Sequence, residues 1–115
     1  MEIRLIVIRT EDYKRLSEFY ELLGCSFTYH KHGSSPYHYS ATIGQTILEI
    51  YPLAKNQTKA DKNLRLGFVI DHFDEILQHL KEQNVVFIQE PTETEFGFLA
   101  IIEDPDGRKI ELYRK

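Results

Sequence analysis

The sequence lacks several features that would point to particular classes of protein. It has one cysteine, Cys25, which cannot form an internal disulfide, as is usual in the cytosol. The apolar run near the amino terminus, residues 5–8, is too short for a signal-peptide core or a membrane span. There is no run of lysine or arginine, and the formal charge is −4 with both signs interspersed. We therefore expect a cytoplasmic protein with neither a nucleic-acid nor a membrane partner.

The composition that is present is typical of an ordinary globular domain. Apolar residues make up 42% of the 115 residues and aromatic residues 12%, which is too apolar for a disordered tail. A half of about 50 residues would bury too little surface to be stable alone. We expect one domain over residues 1–115. Cys25 is interpreted as a small half-buried residue, because no cationic or helix-start setting surrounds it.

One strand pattern occurs twice. Near the end of the chain, Asp104-Pro105-Asp106-Gly107 predicts a tight turn, and the strand after it alternates between apolar and polar side chains. A similar strand follows Gly44, and aligning Glu49 with Glu111 aligns the residues around them as well. The aligned pairs are Leu48 with Ile110, Ile50 with Leu112 and Tyr51 with Tyr113. The alternation predicts apolar side chains on one face and a glutamate on the other, and the repetition indicates a duplication.

Hydrophobic periodicity extends this duplication to two β-α-β-β-β modules. The first module covers residues 1 to about 52, the polar stretch 53–63 is the linker, and the second module covers residues 64–115. Thr10 and Asp71 are the predicted N-caps of the two helices. Strands are predicted at 3–8, 25–31 and 37–43, followed after a tight connection at Gly44-Gln45 by the strand that contains Glu49, and again at 64–70, 85–88, 98–102 and 109–113, with a loop at 90–95.

This arrangement resembles the vicinal oxygen chelate superfamily, the group of glyoxalases, bleomycin-resistance proteins and extradiol dioxygenases. The resemblance is carried by the opening strand, the segment Glu18 to Gly24, Glu49, the Glu103 to Gly107 turn and Ile110-Glu111-Leu112. It implies an α+β fold of two tandem β-α-β-β-β modules, whose curled mixed sheets form a cup with the helices outside. It also implies that Glu49 and Glu111 face the cup and that the protein is a homodimer.

The resemblance further implies four positions that could hold a divalent metal, namely Leu5, Glu49, Arg65 and Glu111. Leu5 has no donor atom, and Arg65 brings a permanent positive charge. We therefore expect no metal at these positions and no cofactor. Two carboxylates in one cavity would raise each other's pKa, so Arg65 is predicted to neutralise Glu49 or Glu111. Tyr51 and Tyr113 share a face with the glutamates and complete the predicted ligand-binding set.

A group of histidines is the alternative place for a metal. His30 and His32 lie two apart on one strand, and His38 lies across the turn. A hairpin centred on Ser34-Ser35 would place His38 opposite Lys31 and on the other face, whereas a slip of one residue would bring all three histidines together. No carboxylate neighbours them in the sequence, which favours solvated histidines at the rim of a pocket.

Two functions follow from these patterns. The first is a small-molecule-binding protein of the glyoxalase/bleomycin-resistance type, which sequesters or senses a ligand in a dimeric cup with a degenerate metal site. The alternative is an enzyme of the lyase or isomerase type, with Glu49 or Glu111 as the base and Arg65 orienting an anionic substrate, with or without a divalent metal. The sequence does not name the ligand.

Overall fold

Two copies of one β-α-β-β-β unit make up the fold in a computed structural model that describes all of residues 1–115. The first copy contains β1 (Leu5–Thr10), α1 (Tyr13–Leu22), β2 (Thr28–His30), β3 (His38–Ile43) and β4 (Thr46–Pro52). The second contains β5 (Leu66–Ile70), α2 (Phe73–Glu82), β6 (Phe87–Thr94), β7 (Gly97–Glu103) and β8 (Lys109–Arg114). The predicted α+β class and the duplication are confirmed. Neither helix is long and apolar enough to cross a membrane.

Each unit has its own four-stranded mixed sheet with the same order. The order is β1-β4-β3-β2 in the first sheet and β5-β8-β7-β6 in the second. The first and last strands of each unit pair in parallel, and the other neighbours are antiparallel. A parallel pair needs a long crossover, which here includes the helix. The chain divides into two compact units, residues 1–21 with 25–61 and residues 22–24 with 62–115.

The last strand of each unit separates an apolar face from a polar one. Leu48, Ile50, Ile110 and Leu112 are each at most 1% exposed, as the alternation predicts. The helices bury an apolar stripe, made in α2 by Phe73, Leu77 and Leu80. In each unit an aromatic side chain of the helix contacts the sheet: the ring centroids of Tyr13 and Tyr39 are 5.4 Å apart, and those of Phe73 and Phe98 are 5.8 Å apart.

Both predicted helix starts were wrong. Asp12 caps α1, because its Oδ1 accepts a hydrogen bond from the Arg15 backbone N–H at 3.1 Å. Thr10 cannot do so, since β1 continues to this residue and pairs it with Pro52. At α2, His72 takes the N-cap position at φ 54° without a side-chain capping bond. Asp71 instead accepts a hydrogen bond from Lys115 at 3.2 Å.

The loop predicted at 90–95 is mostly strand. Strand β6 runs from Phe87 to Thr94 and is the edge strand of its sheet. Its pairing with β7 shifts register between Phe87 and Gln89 and again between Gln89 and Thr92. An edge strand tolerates a proline and bulges, because its outer backbone groups need no partner in the sheet. Pro91 therefore does not end the strand.

The turn before β8 is confirmed and is held by a buried ion pair. Gly107 has φ 90° and donates its backbone N–H to the Asp104 carbonyl at 2.9 Å. The Asp104 carboxylate accepts the backbone N–H of Asp106 and of Arg108, each at 2.9 Å. The Arg108 guanidinium also donates to Asp104 at 3.2 Å and to Asp106 at 2.8 Å. Arg108 is only 1% exposed, so this turn is part of the core.

Candidate functional site

Glu111 lies in the middle of β8, beside a strand position that has no side chain. Its neighbour in β5 is Gly67, where an added Cβ would lie 3.4 Å from the Tyr113 ring and 3.6 Å from the Glu111 Cβ. A side chain at this position would therefore be in van der Waals contact with Tyr113 and Glu111. The alternation of β8 places Glu111 and Tyr113 on the same face of the sheet.

Both oxygens of the Glu111 carboxylate accept a hydrogen bond. The Tyr113 hydroxyl donates to Oε1 at 2.5 Å, and the Arg65 Nε–H donates to Oε2 at 2.7 Å. The hydrogen bond from Tyr113 is the largest influence on the pKa of Glu111, burial opposes it, and Arg65 adds to it, so that the pKa is lowered. Of the two glutamates that Arg65 could have neutralised, it pairs with Glu111.

A cavity of about 740 Å³ opens beside this network within the second unit. Its lining combines a cation, a carboxylate, aromatic rings and apolar side chains, and includes Arg65, Gln89, Phe96, Leu99, Glu111 and Tyr113. Phe96 lies between β6 and β7 and is 73% exposed. Three residues of the predicted ligand-binding set, Arg65, Glu111 and Tyr113, are thus brought together at one cavity.

Glu49 has different neighbours. Strand pairing places Ser40 beside Glu49, and His30 beside His38. Because side chains two apart share a face, His30, His38 and Glu49 project from one face of the first sheet. The His38 Nε2 lies 3.3 Å from the Glu49 Oε2, and the His32 Nε2 lies 3.7 Å from the same oxygen.

This register decides between the two arrangements that the sequence left open for His38. The hairpin is centred on Ser34 and not between Ser34 and Ser35, so the alternative of a one-residue slip is the one observed. The turn runs from His32 to Ser35, whose backbone N–H donates to the His32 carbonyl at 2.8 Å. Gly33 has φ 52° in this turn, a conformation that glycine adopts at little cost.

The four side chains form one cluster of possible metal ligands. The Nε2 atoms of His30 and His32 are 3.2 Å apart, and the ligand atoms of His30, His32, His38 and Glu49 all lie within 4.8 Å of one another. His38 is fully buried, and its Nδ1 lies 3.0 Å from the Pro36 carbonyl oxygen. Its ring stacks on Tyr51, with the centroids 4.1 Å apart and the planes at 8°. The buried Nε2 of His38 has no hydrogen-bond partner among the protein's groups.

The four positions at which the fold family places a metal do not fit one in this chain. Leu5 is 51% exposed and has no donor atom, and Arg65 is committed to an ion pair with Glu111. Tyr51, predicted as a ligand-binding residue, stacks on His38 instead of lining the cavity of the second unit. Sequence reasoning missed the contact between the histidines and Glu49. The available pattern was His30-x-His32 together with His38, but the residue that completes the cluster comes from another strand.

Comparison with known proteins gives a consistent assignment. No curated protein sequence matches this chain significantly. Among solved structures, TnmS3, an antibiotic-binding protein from Streptomyces sp. CB03234, has a TM-score of 0.79 and 23% identity over 99% of this chain and 95% of its own. The oxidase ChaP-H2 has a TM-score of 0.78 and 17% identity, and the match covers 100% of this chain and 94% of ChaP-H2. At these identities the likeness shows a shared fold.

A third solved structure, a glyoxalase/bleomycin resistance protein also from Streptomyces sp. CB03234, has a TM-score of 0.74 and 23% identity over 97% of this chain and 99% of its own. A family model matches nearly the whole sequence, residues 2–112. Together with the duplicated β-α-β-β-β unit, this match shows that the chain belongs to the Glyoxalase/Bleomycin resistance protein/Dioxygenase superfamily.

Proposed function

We propose that this protein binds a small organic ligand in the cavity of its second unit, without a metal at the four positions where the family places one. The observation that carries the proposal is the cavity of about 740 Å³ beside the hydrogen-bonded network of Arg65, Glu111 and Tyr113. Its volume falls within the range of about 300–1,000 Å³ that is typical of small-molecule sites.

The lining indicates the chemistry of the ligand. Arg65 donates its Nε–H to Glu111, which leaves the four N–H groups on its two terminal nitrogens. These groups suit a carboxylate or phosphate oxygen pair, and the Arg65 side chain is 46% exposed. Phe96, Leu99 and Tyr113 offer an apolar and aromatic surface. The ligand we expect has an aromatic or apolar body and one anionic group.

Binding is better supported than catalysis by Glu111. A general base works best when its pKa lies near the working pH, whereas the hydrogen bonds from Tyr113 and Arg65 lower the pKa of Glu111. Such a carboxylate is a weak base and acts instead as the partner that orients Arg65. An antibiotic-binding protein among the solved structures with this fold is consistent with a binding role.

A homodimer in the cytoplasm remains part of the proposal. The family resemblance is the reason to expect two subunits, and the single cysteine is the reason to expect a reducing compartment. Sedimentation equilibrium over a range of protein concentrations would measure the assembly. A mass of one chain at every concentration would contradict the dimer.

The ligand proposal can be tested with paired probes and one substitution. Aromatic carboxylates and their neutral amides are added to ¹⁵N-labelled protein, and amide shifts are followed at Gly67 and Gly97, where an added Cβ would lie 3.4 and 3.7 Å from the Tyr113 ring. Arg65→Gln should weaken binding of a carboxylate at least ~10-fold, since it removes a charge-assisted hydrogen-bonded pair. It should leave the affinity for the amide nearly unchanged.

The matched control is Arg15→Gln, which removes an exposed arginine from α1 in the first unit. It should leave the affinity for both probes at the wild-type value. The proposal would be wrong if Arg65→Gln bound the carboxylate as tightly as the wild type. It would also be wrong if no probe shifted the amides of Gly67 and Gly97.

A further inference from the structure

We propose that His30, His32, His38 and Glu49 form a binding site for one divalent transition-metal ion of the Zn²⁺ class on the first unit. The site shares only Glu49 with the four positions implied by the family. Its other ligands come from β2, from the turn after β2 and from β3. It shares no residue with the ligand cavity of the second unit and does not depend on the function proposed for that cavity.

The donor set and its spacing suit such an ion. Three imidazoles and one carboxylate are preferred ligands of Zn²⁺, which binds nitrogen and oxygen donors at about 2.0–2.1 Å. Donors arranged as a tetrahedron at that distance would be roughly 3.3 Å apart. The observed edges are 3.2 Å between His30 and His32 and 3.3 Å between His38 and Glu49. The edge between His32 and Glu49 is 3.7 Å, and every pair lies within 4.8 Å.

The environment of His38 indicates a positive ion between it and Glu49. The Pro36 carbonyl can only accept a hydrogen bond, so the Nδ1 of His38 carries the proton, and in the neutral ring Nε2 presents a lone pair. That buried nitrogen lies 3.3 Å from a carboxylate oxygen and has no hydrogen-bond partner. Two electron-rich atoms repel each other at this distance, and a cation bound to both would replace the repulsion with two bonds.

A proton on the His38 Nε2 is a simpler alternative to a metal ion, but it explains fewer of the contacts among the four side chains. Protonation of the His38 Nε2 would satisfy His38 and Glu49 only. A hydrogen bond between the His30 and His32 rings would account for the 3.2 Å between their Nε2 atoms, but neither explains why all four ligand atoms converge within 4.8 Å of one another. A single ion bound by all four side chains accounts for both contacts.

Outer contacts already hold the ligands in place. The His38 ring is fixed by its Nδ1 hydrogen bond to Pro36 and by stacking on Tyr51. The His30 Nδ1 lies 3.3 Å from the Thr28 hydroxyl, which leaves Nε2 for the ion. Partners of this kind set the tautomer and orientation of metal-binding histidines. His32 is the exposed member of the set, with 66% of its side chain accessible, and lies at the turn where it can adjust.

Four protein ligands would fill a tetrahedral shell, which is the pattern of a structural site. The ion would tie β2, the turn after it and β3 to Glu49 in β4. Because the ion binds the folded unit, we expect the melting temperature to rise as the concentration of free Zn²⁺ increases.

The probe for the test is the metal ion alone. Full-length protein without an affinity tag is stripped with a chelator, dialysed, and titrated with Zn²⁺ by calorimetry and with Co²⁺ by visible absorption. We expect one ion per chain and the strong visible bands of four-coordinate cobalt. Stoichiometry well below one, or affinity no better than millimolar, would overturn the proposal.

Substitutions at the exposed ligand test the assignment without threatening the fold. His32→Asn should weaken Zn²⁺ binding at least ~10-fold, and His30→Asn/His32→Asn should abolish the cobalt bands. The matched control is His72→Asn/His79→Asn, which removes two exposed histidines of the second unit and should leave stoichiometry and affinity unchanged. Unchanged binding by the His30/His32 variant, or lost binding by the control, would overturn the site.

Discussion

Glu49 and Glu111 occupy the same place in two copies of one module, yet they have different neighbours. Each lies in the last strand of its unit, between the first strand and the third. Glu49 lies close to His32 and His38, whereas Glu111 accepts hydrogen bonds from Arg65 and Tyr113. The shared fold therefore sets where the carboxylate lies, and the surrounding side chains decide what it can bind.

The neighbouring strand positions explain much of the difference. Glu49 is paired with Val7 and Ser40, and Glu111 with Gly67 and Ile101. The Tyr113 ring packs beside the backbone of Gly67, where an added Cβ would lie 3.4 Å from the ring. The corresponding position of the first unit is Val7, which carries a branched side chain. The two sheets have the same strand order, but the side chains beside the two glutamates differ in size.

The hairpins at the far edge of each sheet also differ. In the first unit, β2 has only three residues, and the turn after it brings His32 towards the other histidines. In the second unit, β6 has eight residues and meets β7 through a tight turn at Glu95 and Phe96, after which Gly97 begins β7 with φ 124°. Gln89 and Phe96 from this hairpin line the cavity. One hairpin thus supplies possible metal ligands, and the other supplies a cavity wall.

The largest effect we expect comes from the turn that leads into β8, the strand of Glu111. Arg108→Ala should lower the free energy of unfolding by about 3–5 kcal/mol, because it leaves the buried Asp104 carboxylate without its cation. Urea unfolding followed by circular dichroism measures this change. The matched control is Lys14→Ala, which breaks an exposed pair with Glu18 and should cost less than ~1 kcal/mol. Equal costs for the two variants would contradict a structural role for the turn.

Exchanging each glutamate for glutamine compares the two environments directly. Glu49→Gln should weaken Zn²⁺ binding by roughly 10-fold to 100-fold, or about 1.4–2.7 kcal/mol, since it removes a charged ligand. Glu111→Gln should leave that affinity unchanged, because its partners are Arg65 and Tyr113. Calorimetric titration of both variants gives the two values. If the two variants lost the same affinity for Zn²⁺, the two glutamates would not differ in metal binding as proposed.

Tyr113→Phe should change the titration of Glu111 and leave its position unchanged. The hydrogen bond from Tyr113 is the largest cause of the lowered pKa of Glu111, so removing it should raise that pKa towards its ordinary value. Side-chain carboxyl NMR over acidic pH measures the shift. Tyr51→Phe, the corresponding change in the first unit, should leave the pKa of Glu111 where it is, and an equal shift in both variants would show that the hydrogen bond is not the cause.

The lowered pKa of Glu111 also has a consequence for stability. A group whose pKa is lower in the folded state stabilises the fold above its unfolded pKa, and this contribution is lost as pH falls through the folded value. Wild-type protein should therefore lose the contribution of Glu111 on acidification through that window. In Tyr113→Phe the loss should begin at the same pH, end at a higher pH and be smaller, and unfolding curves at several acidic pH values check this.

The smallest effect is expected at Cys25. Cys25 corresponds to Val85 at the spacing of 60 residues that relates the modules, and burial, with Glu21 as a lesser cause, raises the pKa of its thiol to about 11. The thiol is therefore protonated at neutral pH and acts as a small apolar group. Cys25→Val should change the free energy of unfolding by less than ~1 kcal/mol. A larger loss in chemical unfolding would contradict this interpretation.

The fold could be predicted largely from local patterns. The alternation around Glu49 and Glu111, the helical stripes and the Asp-Pro-Asp-Gly turn each indicated the element that is observed. Helix starts were less predictable, since Thr10 has the chemistry of a cap but is needed by β1, and Asp12 takes over. Pro91 suggested a loop because the sequence does not reveal which strand lies at an edge of the sheet.

The functional residues could be predicted only in part. Arg65 was expected to pair with a glutamate, and the structure selects Glu111. The three histidines were recognised as a group, but whether His38 lies on the same face as the other two depended on a single residue of strand register. The turn at Gly33 decides that register.

The sequence by itself determined that the chain is a duplicated β-α-β-β-β unit with one glutamate in each final strand, because strand alternation and turn chemistry act over a few neighbouring residues. The tertiary structure decided which side chains each glutamate meets. His38 and Glu49 are 11 residues apart in sequence, and Arg65 and Glu111 are 46 apart. Contacts over such distances depend on which strands pair and in which register, and a slip of one residue between β2 and β3 would have turned His38 to the other face.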